Sequence, residues 1–343
     1  MVHTFSKQRI KALQETLSSK GVEFLVIDDP IDIFYLTGLS VSLGRVLISL
    51  REFLLFVDGR YIEFAKLHAP CEVRLLDTFS SAIPKGVKVG FDSAFTTYDG
   101  YQMFIKALPT QSFHPISQPL KTLRMVKSAP EVAALRRAAQ LTKEGYHHIV
   151  SLLKEGVSEQ ELSFEFEWFC KKRGASKLSF SPIIAFGENS AYPHYRSGPV
   201  LLKKDQIVLL DLGVVVDNYA GDMTRVEFFG KPDEVLKKDY ELIQRAQKKA
   251  IALVKPQARF GDLLDVVLKE LGKDAHLFTH GLSHGIGLDV HEFPRLKIQG
   301  GETELPLQEG MAFSVEPGIY RPGIGGVRYE DVVVVTKDGY EIL

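Results

Sequence analysis

The sequence predicts a two-domain protein of the mixed α/β (α+β) class. A small N-terminal α/β domain is predicted over residues 1–122 and a larger domain over residues 123–343. The chain of 343 residues is longer than one average domain. Helix-like and strand-like patterns alternate in its first third, and a helix start at Ser128-Ala129-Pro130-Glu131 follows the boundary. These observations indicate two separate hydrophobic cores.

The first domain is predicted from short apolar runs that follow an amphipathic segment. Residues 7–19 have the spacing of a surface helix. Asp58-Gly59-Arg60-Tyr61 is typical of a turn that leads into another helix. Strands are predicted at residues 23–27, 46–50, 53–57 and 88–92.

The second domain is predicted to begin with two helices and then to become rich in strands. Two capping boxes, Ser128 with Glu131 and Ser158 with Glu161, mark the starts of these helices. Downstream, apolar runs bounded by Gly and Pro are typical of strands. The predicted elements are helices over residues 131–153, 158–173, 233–254 and 260–271, a hairpin over residues 206–230, and strands over residues 311–320 and 326–336.

The composition excludes several classes of partner. The net charge is −1 and no basic run is present, which argues against nucleic acid or a membrane surface. No stretch approaches the length of an apolar membrane span, and the N-terminus lacks the apolar core of a signal peptide, so we expect a cytoplasmic protein. Cys71 and Cys170 are far apart in sequence, which predicts unpaired thiols.

Two aspartates lie in the segment that is predicted as a hairpin. Asp217 and Asn218 can form a two-residue turn, because both residue types tolerate a positive φ. Such a turn places Asp211 opposite Thr224 and Gly213 opposite Asp222. Both carboxylates then point to one face of the sheet. Alternatively, one of them is only a turn or edge-strand charge. A buried strand seldom carries an unpaired carboxylate, which favours a functional role for Asp211.

Two glutamates form a second pair of the same kind. An odd-length loop centred near Gly323 sets Glu316 opposite Glu330 on one sheet face. Opposed like charges are destabilising unless a cation lies between them. Asp331 falls on the other face of the strand, where a structural role is predicted.

The remaining candidate residues are histidines. His280, His284 and His291 lie in Thr279–Glu292, where glycines allow the backbone to approach a ligand closely. His194 lies in a loop bounded by proline, and loop residues often serve binding sites. One histidine with four carboxylates predicts a site for a pair of divalent cations. This oxygen-rich ligand set suits manganese or cobalt better than a structural zinc, which is bound by thiolates. The predicted ligands are Asp211, Asp222, His284, Glu316 and Glu330.

Several segments resemble the metal-binding signatures of the creatinase/aminopeptidase-like metallopeptidases, which have the pita-bread fold. These segments are DLGVVVDNYAGDMTR, HGLSHGIGLDVHEFP, SVEPGIY and GVRYED. The segment SPIIAFGENSAYPHY is similar to the proline-specific branch, the Xaa-Pro aminopeptidases and Xaa-Pro dipeptidases. DIFYLTGLS and VDGRYIEFA resemble the creatinase-like N-terminal domain of that branch, and RMVKSAPEVAALRRA resembles the entry to its catalytic domain.

The resemblance implies a role for each candidate residue. The five predicted ligands would hold two divalent metal ions per chain, Mn²⁺ in the first place with Co²⁺ or Zn²⁺ as alternatives, and Asp222 and Glu330 would bridge them. Glu316 would also be the general base. His194 and His291 would bind the substrate and its transition state. Further pocket members would be His280, Tyr320 and Arg328, with a structural ion pair as the alternative for Arg328.

The leading hypothesis is an Xaa-Pro aminopeptidase that releases the first residue from small proline-containing peptides. The alternative is an Xaa-Pro dipeptidase that is restricted to dipeptides. A third hypothesis is a non-catalytic peptide-binding module of the same fold, although such relatives lack ligands that this sequence retains. The resemblance and the prevalence of symmetric oligomers also predict a homodimer.

Overall fold

The computed structural model describes residues 2–231 and 233–343, and their contacts divide the chain into two units. One unit ends at Leu123, and the other spans Arg124–Leu343. Both units contain helices and strands, as the sequence predicts.

The first unit is built on a mixed sheet. Its strands are β1 (Phe24–Ile27), β2 (Gly44–Ser49), β3 (Phe53–Val57), β4 (Glu72–Leu75), β5 (Lys88–Asp92) and β6 (Ser112–Ile116). Its helices are α1 (Val2–Lys20), α2 (Pro30–Thr37), α3 (Ile62–His68) and α4 (Tyr98–Ala107). The strand order is β4-β3-β2-β1-β5-β6, with β1, β2 and β3 antiparallel and the other neighbours parallel.

The central strand and its following helix show why this unit folds as it does. Every residue of β1 is buried, which matches its continuous apolar sequence. Helix α2 begins where Asp29 accepts a hydrogen bond from the Ile31 N–H and Pro30 occupies the first turn. It ends at Gly38, whose φ of 75° is a left-handed conformation.

The second unit combines helices with antiparallel sheets. A short helix, α5 (Lys121–Met125), links the units in sequence, and it is followed by α6 (Ala129–Val150), α7 (Glu159–Lys172), α8 (Glu234–Ile251) and α9 (Gly261–Leu271). The strands are β7 (Lys177–Leu178), β8 (Ile183–Phe186), β9 (Gln206–Leu212), β10 (Val214–Val216), β11 (Tyr219–Ala220), β12 (Met223–Phe229), β13 (Ser283–Gly285), β14 (Glu292–Leu296), β15 (Ala312–Val315), β16 (Gly318–Arg321), β17 (Gly325–Arg328), β18 (Asp331–Val335) and β19 (Tyr340–Ile342). The sheet orders are β11-β10-β7, β12-β9-β8, β14-β13-β15-β18-β19 and β16-β17.

Both predicted capping boxes are present at the starts of α6 and α7. Helix α6 begins at Ala129 and ends at Val150, so the predicted span of residues 131–153 is displaced slightly toward the C-terminus. The two helices pack through Gly145 of α6, where an added Cβ would lie 2.6 Å from both Cys170 Sγ and the Phe166 ring. Glycine is therefore required at this crossing.

We expect Gly145→Ala to destabilise the protein by about 1–2 kcal/mol, because overpacking outweighs the gain of about 1 kcal/mol in helix propensity. The free energy of unfolding in urea measures the effect. Gly339→Ala is the matched control, since an added Cβ there meets nothing within 4 Å. Equal stability of both variants would show that the two helices separate without cost.

The first predicted hairpin has the predicted turn and register. Asp217 and Asn218 have φ values of 50° and 68°, and Val216 pairs with Tyr219 across them. Further along, Asp211 pairs with Thr224, as predicted. The hairpin is interrupted, however, so that β10–β11 belongs to one sheet and β9–β12 to another. Asp222 lies at this interruption.

The second predicted hairpin also has its predicted register. Gly318 pairs with Arg328 and Val315 with Asp331, and the loop turns at Gly323 with a φ of 75°. The two long predicted strands are each divided in two, at Glu316-Pro317 and at Tyr329-Glu330. At the breaks the backbone changes partner: the Glu316 N–H donates to Leu282 O, and the Glu330 N–H donates to Thr224 O. These exchanges join the second hairpin to the first and to Leu282, the residue before β13.

The two cysteines of the chain are not joined by a disulfide. Cys71 and Cys170 are free cysteines, as predicted. Burial raises the pKa of both thiols to about 12, so they stay protonated near neutral pH.

Among the described helices, none has the length and apolarity that crossing a membrane requires.

Candidate metal centre

The five predicted ligands come from strands of the second unit and from the breaks between them. Asp211 lies in β9 and His284 in β13, whereas Asp222, Glu316 and Glu330 lie at the strand interruptions. All are buried except Glu316, which is partly exposed. Interruption of a strand frees a side chain from the alternating in-and-out pattern. The breaks therefore allow side chains from different sheets to converge.

The cluster is centred on the outer nitrogen of one histidine. His284 Nε2 lies 3.4 Å from Glu316 Oε1, 3.5 Å from Asp222 Oδ2 and 4.0 Å from Glu330 Oε1. Potential ligand atoms of Asp222, His284 and Glu330 all lie within 4.8 Å of one another. This spacing is suited to a shared cation.

The electrostatics of the cluster are unfavourable without a cation. Burial and the neighbouring carboxylates raise the pKa of Asp222, Glu316 and Glu330, that of Glu330 to about 8. Burial and the nearby His291 lower the pKa of His284 to about 3. The neutral imidazole donates from Nδ1 to Gly285 O at 3.0 Å, which leaves Nε2 as an acceptor.

An unsatisfied oxygen also points to a missing positive charge. Asp211 Oδ1 is buried and has no hydrogen-bond partner among the described residues, while Oδ2 accepts from Arg328 Nη2 at 2.5 Å. Buried polar atoms are normally satisfied, so the orphan marks a place for a ligand. Carboxylates with one imidazole form a donor set for hard or borderline divalent ions. The residues present therefore fit divalent metal ions.

Arg328 links the carboxylates through direct and relayed bonds. Besides Asp211, its Nε donates to Thr224 Oγ1 at 3.1 Å, and that hydroxyl donates to Glu330 Oε2 at 2.7 Å. Its Nη1 donates to Tyr320 OH at 2.8 Å. Arg328 thus makes the structural ion pair that was the alternative in the sequence analysis, and it also lines the adjacent cavity.

A cavity of about 930 Å³ opens beside the cluster and brings the predicted histidines together. His194, His280 and His291 line it together with all five predicted metal ligands. Tyr320 is not among the lining residues and reaches the cavity only through His280 Nε2, 2.8 Å from its hydroxyl, and through Arg328. The predicted role of Tyr320 in substrate binding is therefore indirect in this geometry.

Three basic residues that the sequence analysis did not select also line the cavity: Arg196, Arg295 and Lys297. In the described part of the chain, no carboxylate forms a salt bridge with any of them. The sequence pattern could have indicated two of them. Arg295 and Lys297 follow His291 by four and six residues, and in a strand residues at even separations lie on the same face. The cavity thus presents positive charge beside the carboxylate cluster.

Glu292, the residue after His291, anchors the histidine-bearing loop. It accepts from Arg124 Nη2 at 2.5 Å, from Lys127 Nζ at 3.4 Å and from the Asp289 N–H at 3.0 Å. Burial opposes ionisation of this carboxyl, but Lys127 and Arg124 outweigh burial and hold its pKa below the ordinary value. The ionised carboxylate is therefore stabilised in the folded state.

We expect Glu292→Gln to lower the free energy of unfolding by about 3 kcal/mol at pH 7, since it removes the carboxylate that forms an ion pair with buried Lys127. A carboxyl with a depressed folded pKa contributes its stability above the unfolded pKa of about 4.3 and loses it as the pH falls through the folded pKa. The difference between variant and wild type should therefore shrink between pH 6 and pH 3 in urea titrations. A constant difference across that range would contradict the ionic origin.

Comparison with known proteins agrees with this fold. Metallopeptidase family M24 matches residues 133–337, and the creatinase/prolidase N-terminal domain matches residues 9–126. An Xaa-Pro dipeptidase of Pyrococcus furiosus is 30% identical over 340 residues, which cover 97% of this chain and 96% of that protein. The solved structure of an Xaa-Pro dipeptidase from Bacillus anthracis has a TM-score of 0.92 and 31% identity, with 98% of this chain and 97% of that one covered. An X-Pro aminopeptidase from Thermotoga maritima has a TM-score of 0.86 and 27% identity, with 96% and 97% covered.

The chain belongs to metallopeptidase family M24. The predicted fold is confirmed: a creatinase-like N-terminal domain precedes a pita-bread metallopeptidase domain. Membership implies a hydrolase that uses divalent metal ions, and the buried cluster of Asp222, His284 and Glu330 is a candidate site for them.

Proposed function

We propose that this protein is a dinuclear-metal exopeptidase that hydrolyses the Xaa-Pro bond of small proline-containing peptides, with its chemistry in residues 123–343. One observation carries the proposal: a cluster of four carboxylates and His284 opens on a cavity that also contains His194, His291 and basic side chains. The names of the relatives support the proline specificity.

Asp211, Asp222, His284, Glu316 and Glu330 would hold two divalent ions, with Asp222 and Glu330 shared between them. Four carboxylates supply enough negative charge for two such ions, and the oxygen-rich set favours Mn²⁺ over Co²⁺ or Zn²⁺. Bound there, the ions supply activation of water and polarisation of the scissile carbonyl. The homodimer and the cytoplasmic location remain predictions from the sequence.

The side chains of the chain supply proton transfer and orientation. Glu316 accepts a hydrogen bond from Ser314 Oγ at 3.2 Å through Oε1, which orients its carboxylate. Glu316 takes the proton of the attacking water and delivers it to the leaving proline nitrogen. His194 and His291 donate hydrogen bonds to the substrate carbonyl and peptide groups. The Xaa-Pro nitrogen has no N–H, so the pocket needs no acceptor for it.

The cavity cations favour the dipeptidase over the aminopeptidase that the sequence analysis ranked first. A dipeptide places its free carboxylate directly after the proline, where a guanidinium recognises it by paired hydrogen bonds. Arg295 is exposed in the cavity and close enough to His291 to lower that pKa, after the larger effect of burial. The similarity to the X-Pro aminopeptidase of Thermotoga maritima keeps aminopeptidase activity as the second candidate.

A peptide-length series with added Mn²⁺ tests the proposal. We expect an Xaa-Pro dipeptide to be cleaved faster than Xaa-Pro-Yaa or the amidated Xaa-Pro-NH₂. Arg295→Met should lower kcat/KM for the dipeptide by about 100-fold and change amide cleavage little, since a charge-assisted contact is worth about 1.5–3 kcal/mol. Faster tripeptide cleavage would instead identify an aminopeptidase. The exopeptidase proposal fails if no peptide is cleaved with Mn²⁺, Co²⁺ or Zn²⁺, and fewer than one bound ion per chain would then favour a peptide-binding module.

A further inference from the structure

A carboxylate outside the metal cluster is buried at the start of α7. Glu159 has 0% exposure, yet the four groups that donate to its oxygens in the described part of the chain are all neutral. Burying a carboxylate costs several kcal/mol unless hydrogen bonds or charges compensate. Its position in the first turn of a helix offsets part of that cost. The remaining compensation comes from these four hydrogen bonds.

All four donors belong to one stretch of chain, residues 186–198, which we call the cavity segment. Oε1 accepts from the Phe186 N–H at 2.9 Å and from Asn189 Nδ2 at 3.0 Å. Oε2 accepts from Tyr195 OH at 2.8 Å and from the Gly198 N–H at 3.1 Å. One oxygen therefore binds the beginning of the segment and the other binds its end.

The cavity segment carries groups that face the proposed substrate. Pro193, His194, Tyr195 and Arg196 all line the cavity beside the metal cluster. Burial and the hydrogen bond to Glu159 raise the pKa of Tyr195 to about 12, so its hydroxyl keeps the proton that it donates. Tyr195 therefore remains a donor to Glu159 Oε2 at neutral pH.

We propose that Glu159 is a positioning residue that fixes the cavity segment so that His194 faces the metal cluster, a role that rests on the proposed function. The carboxylate acts through His194 and touches no substrate. Only an acceptor at both oxygens suits the site, because each oxygen faces two donors. An amide at this position would direct its NH₂ group against two of them and release one end of the segment.

The test compares Glu159→Gln with Glu161→Gln. Glu161 lies in the same helix turn, but among the described residues its carboxylate accepts hydrogen bonds only from Ser158 of the capping box, where glutamine also functions. We expect Glu159→Gln to lower kcat/KM for an Xaa-Pro dipeptide by about 10-fold to 100-fold, because small displacements of a positioned group have effects of that size. The metal content should be unchanged. Glu161→Gln should stay within about twofold of wild type.

A double-mutant cycle with His194→Ala separates positioning from general destabilisation. If Glu159 acts through His194, Glu159→Gln should lower kcat/KM by less than about threefold in the His194→Ala background. An equal loss in both backgrounds, or no loss in the wild-type background, would overturn the proposal. If Glu159→Gln does not fold, Asn189→Ala removes one donor to Oε1, and a smaller loss that disappears without His194 is expected.

Hydrogen exchange measured by mass spectrometry gives a readout that needs no turnover. Amides of the cavity segment should exchange faster in Glu159→Gln than in wild type or Glu161→Gln, while those of α8 stay unchanged. Unchanged exchange in the segment would overturn the positioning role. If the wild type cleaves no Xaa-Pro peptide, the proposed function fails, and exchange alone then decides whether Glu159 holds the segment.

Discussion

Glu330→Gln is expected to abolish peptide hydrolysis and at the same time to stabilise the metal-free protein. Glu330 is 2% exposed, and burial together with the negative charge of Asp211 raises its pKa to about 8. A carboxyl with this raised pKa must take up a proton when the metal-free protein folds near pH 7, whereas glutamine needs none. The amide oxygen still accepts from Thr224 Oγ1. We expect a gain of about 1 kcal/mol or more in the free energy of unfolding after chelation.

The same substitution removes a ligand that two ions would share, so we expect kcat/KM to fall by about 1000-fold or more. Added Mn²⁺ should stabilise the wild type but not the variant, since only binding to the folded state shifts unfolding. Urea unfolding with chelator and with Mn²⁺ measures both effects.

Asp331→Asn is the control for this experiment, because it changes the neighbouring carboxylate on the opposite face. Asp331 accepts from Arg225 Nη2 at 2.5 Å and from Gln247 Nε2 at 2.8 Å. Its loss should destabilise the protein and leave Mn²⁺ stabilisation in place. If Glu330→Gln destabilised the chelated protein as Asp331→Asn does, Glu330 would be a structural carboxylate and not a metal ligand.

Arg328→Met is expected to lower the free energy of unfolding by about 3–5 kcal/mol, because it leaves buried Asp211 without its cation. The guanidinium is 4% exposed and binds Asp211, Thr224 and the Tyr320 hydroxyl at once. Mn²⁺ should restore part of the lost stability by supplying positive charge to the same carboxylates. Chemical unfolding with and without Mn²⁺ measures this recovery.

The control for Arg328→Met is the ion pair of Arg136 and Glu341, which is more exposed than that of Arg328 and Asp211. Arg136 Nε lies 2.8 Å from Glu341 Oε1, and the two side chains are 51% and 36% exposed. Arg136→Met should cost less than about 1 kcal/mol, as exposed pairs usually do. Arg328→Lys retains the charge but loses the planar fork, so its stability should fall between those of wild type and Arg328→Met. A cost at Arg328 no larger than that at Arg136 would show that the network contributes little.

In the first unit, the strands that the sequence did not predict are those with weak apolar patterns. The edge strands Glu72–Leu75 and Ser112–Ile116 are largely exposed or half-buried, so hydrophobicity does not mark them. The central strands of the same sheet are buried throughout or nearly so, and all were predicted. Burial on both faces produces the continuous apolar runs that sequence analysis detects.

In the metal cluster, too, some features were predicted from the sequence and others were not. The register of a hairpin depends on a turn of a few residues. The turn at Asp217-Asn218 was therefore enough to predict Asp211 opposite Thr224. The turn at Gly323 was enough to predict the pairs that flank Glu316 and Glu330. The strand breaks at these carboxylates were not predicted, because they arise where the backbone exchanges one strand partner for another. That exchange depends on elements distant in sequence.

The sequence by itself determined the ligand types, the parity of both carboxylate pairs and the resemblance to a metallopeptidase family. Tertiary structure decided which side chains meet: Arg328 with Asp211, which is 117 positions away, and Glu159 with the segment that carries His194. The physical reason is the range of the interactions. Turn conformation and side-chain alternation are local, whereas the partner of a buried charge is chosen only when separate cores pack and exclude water.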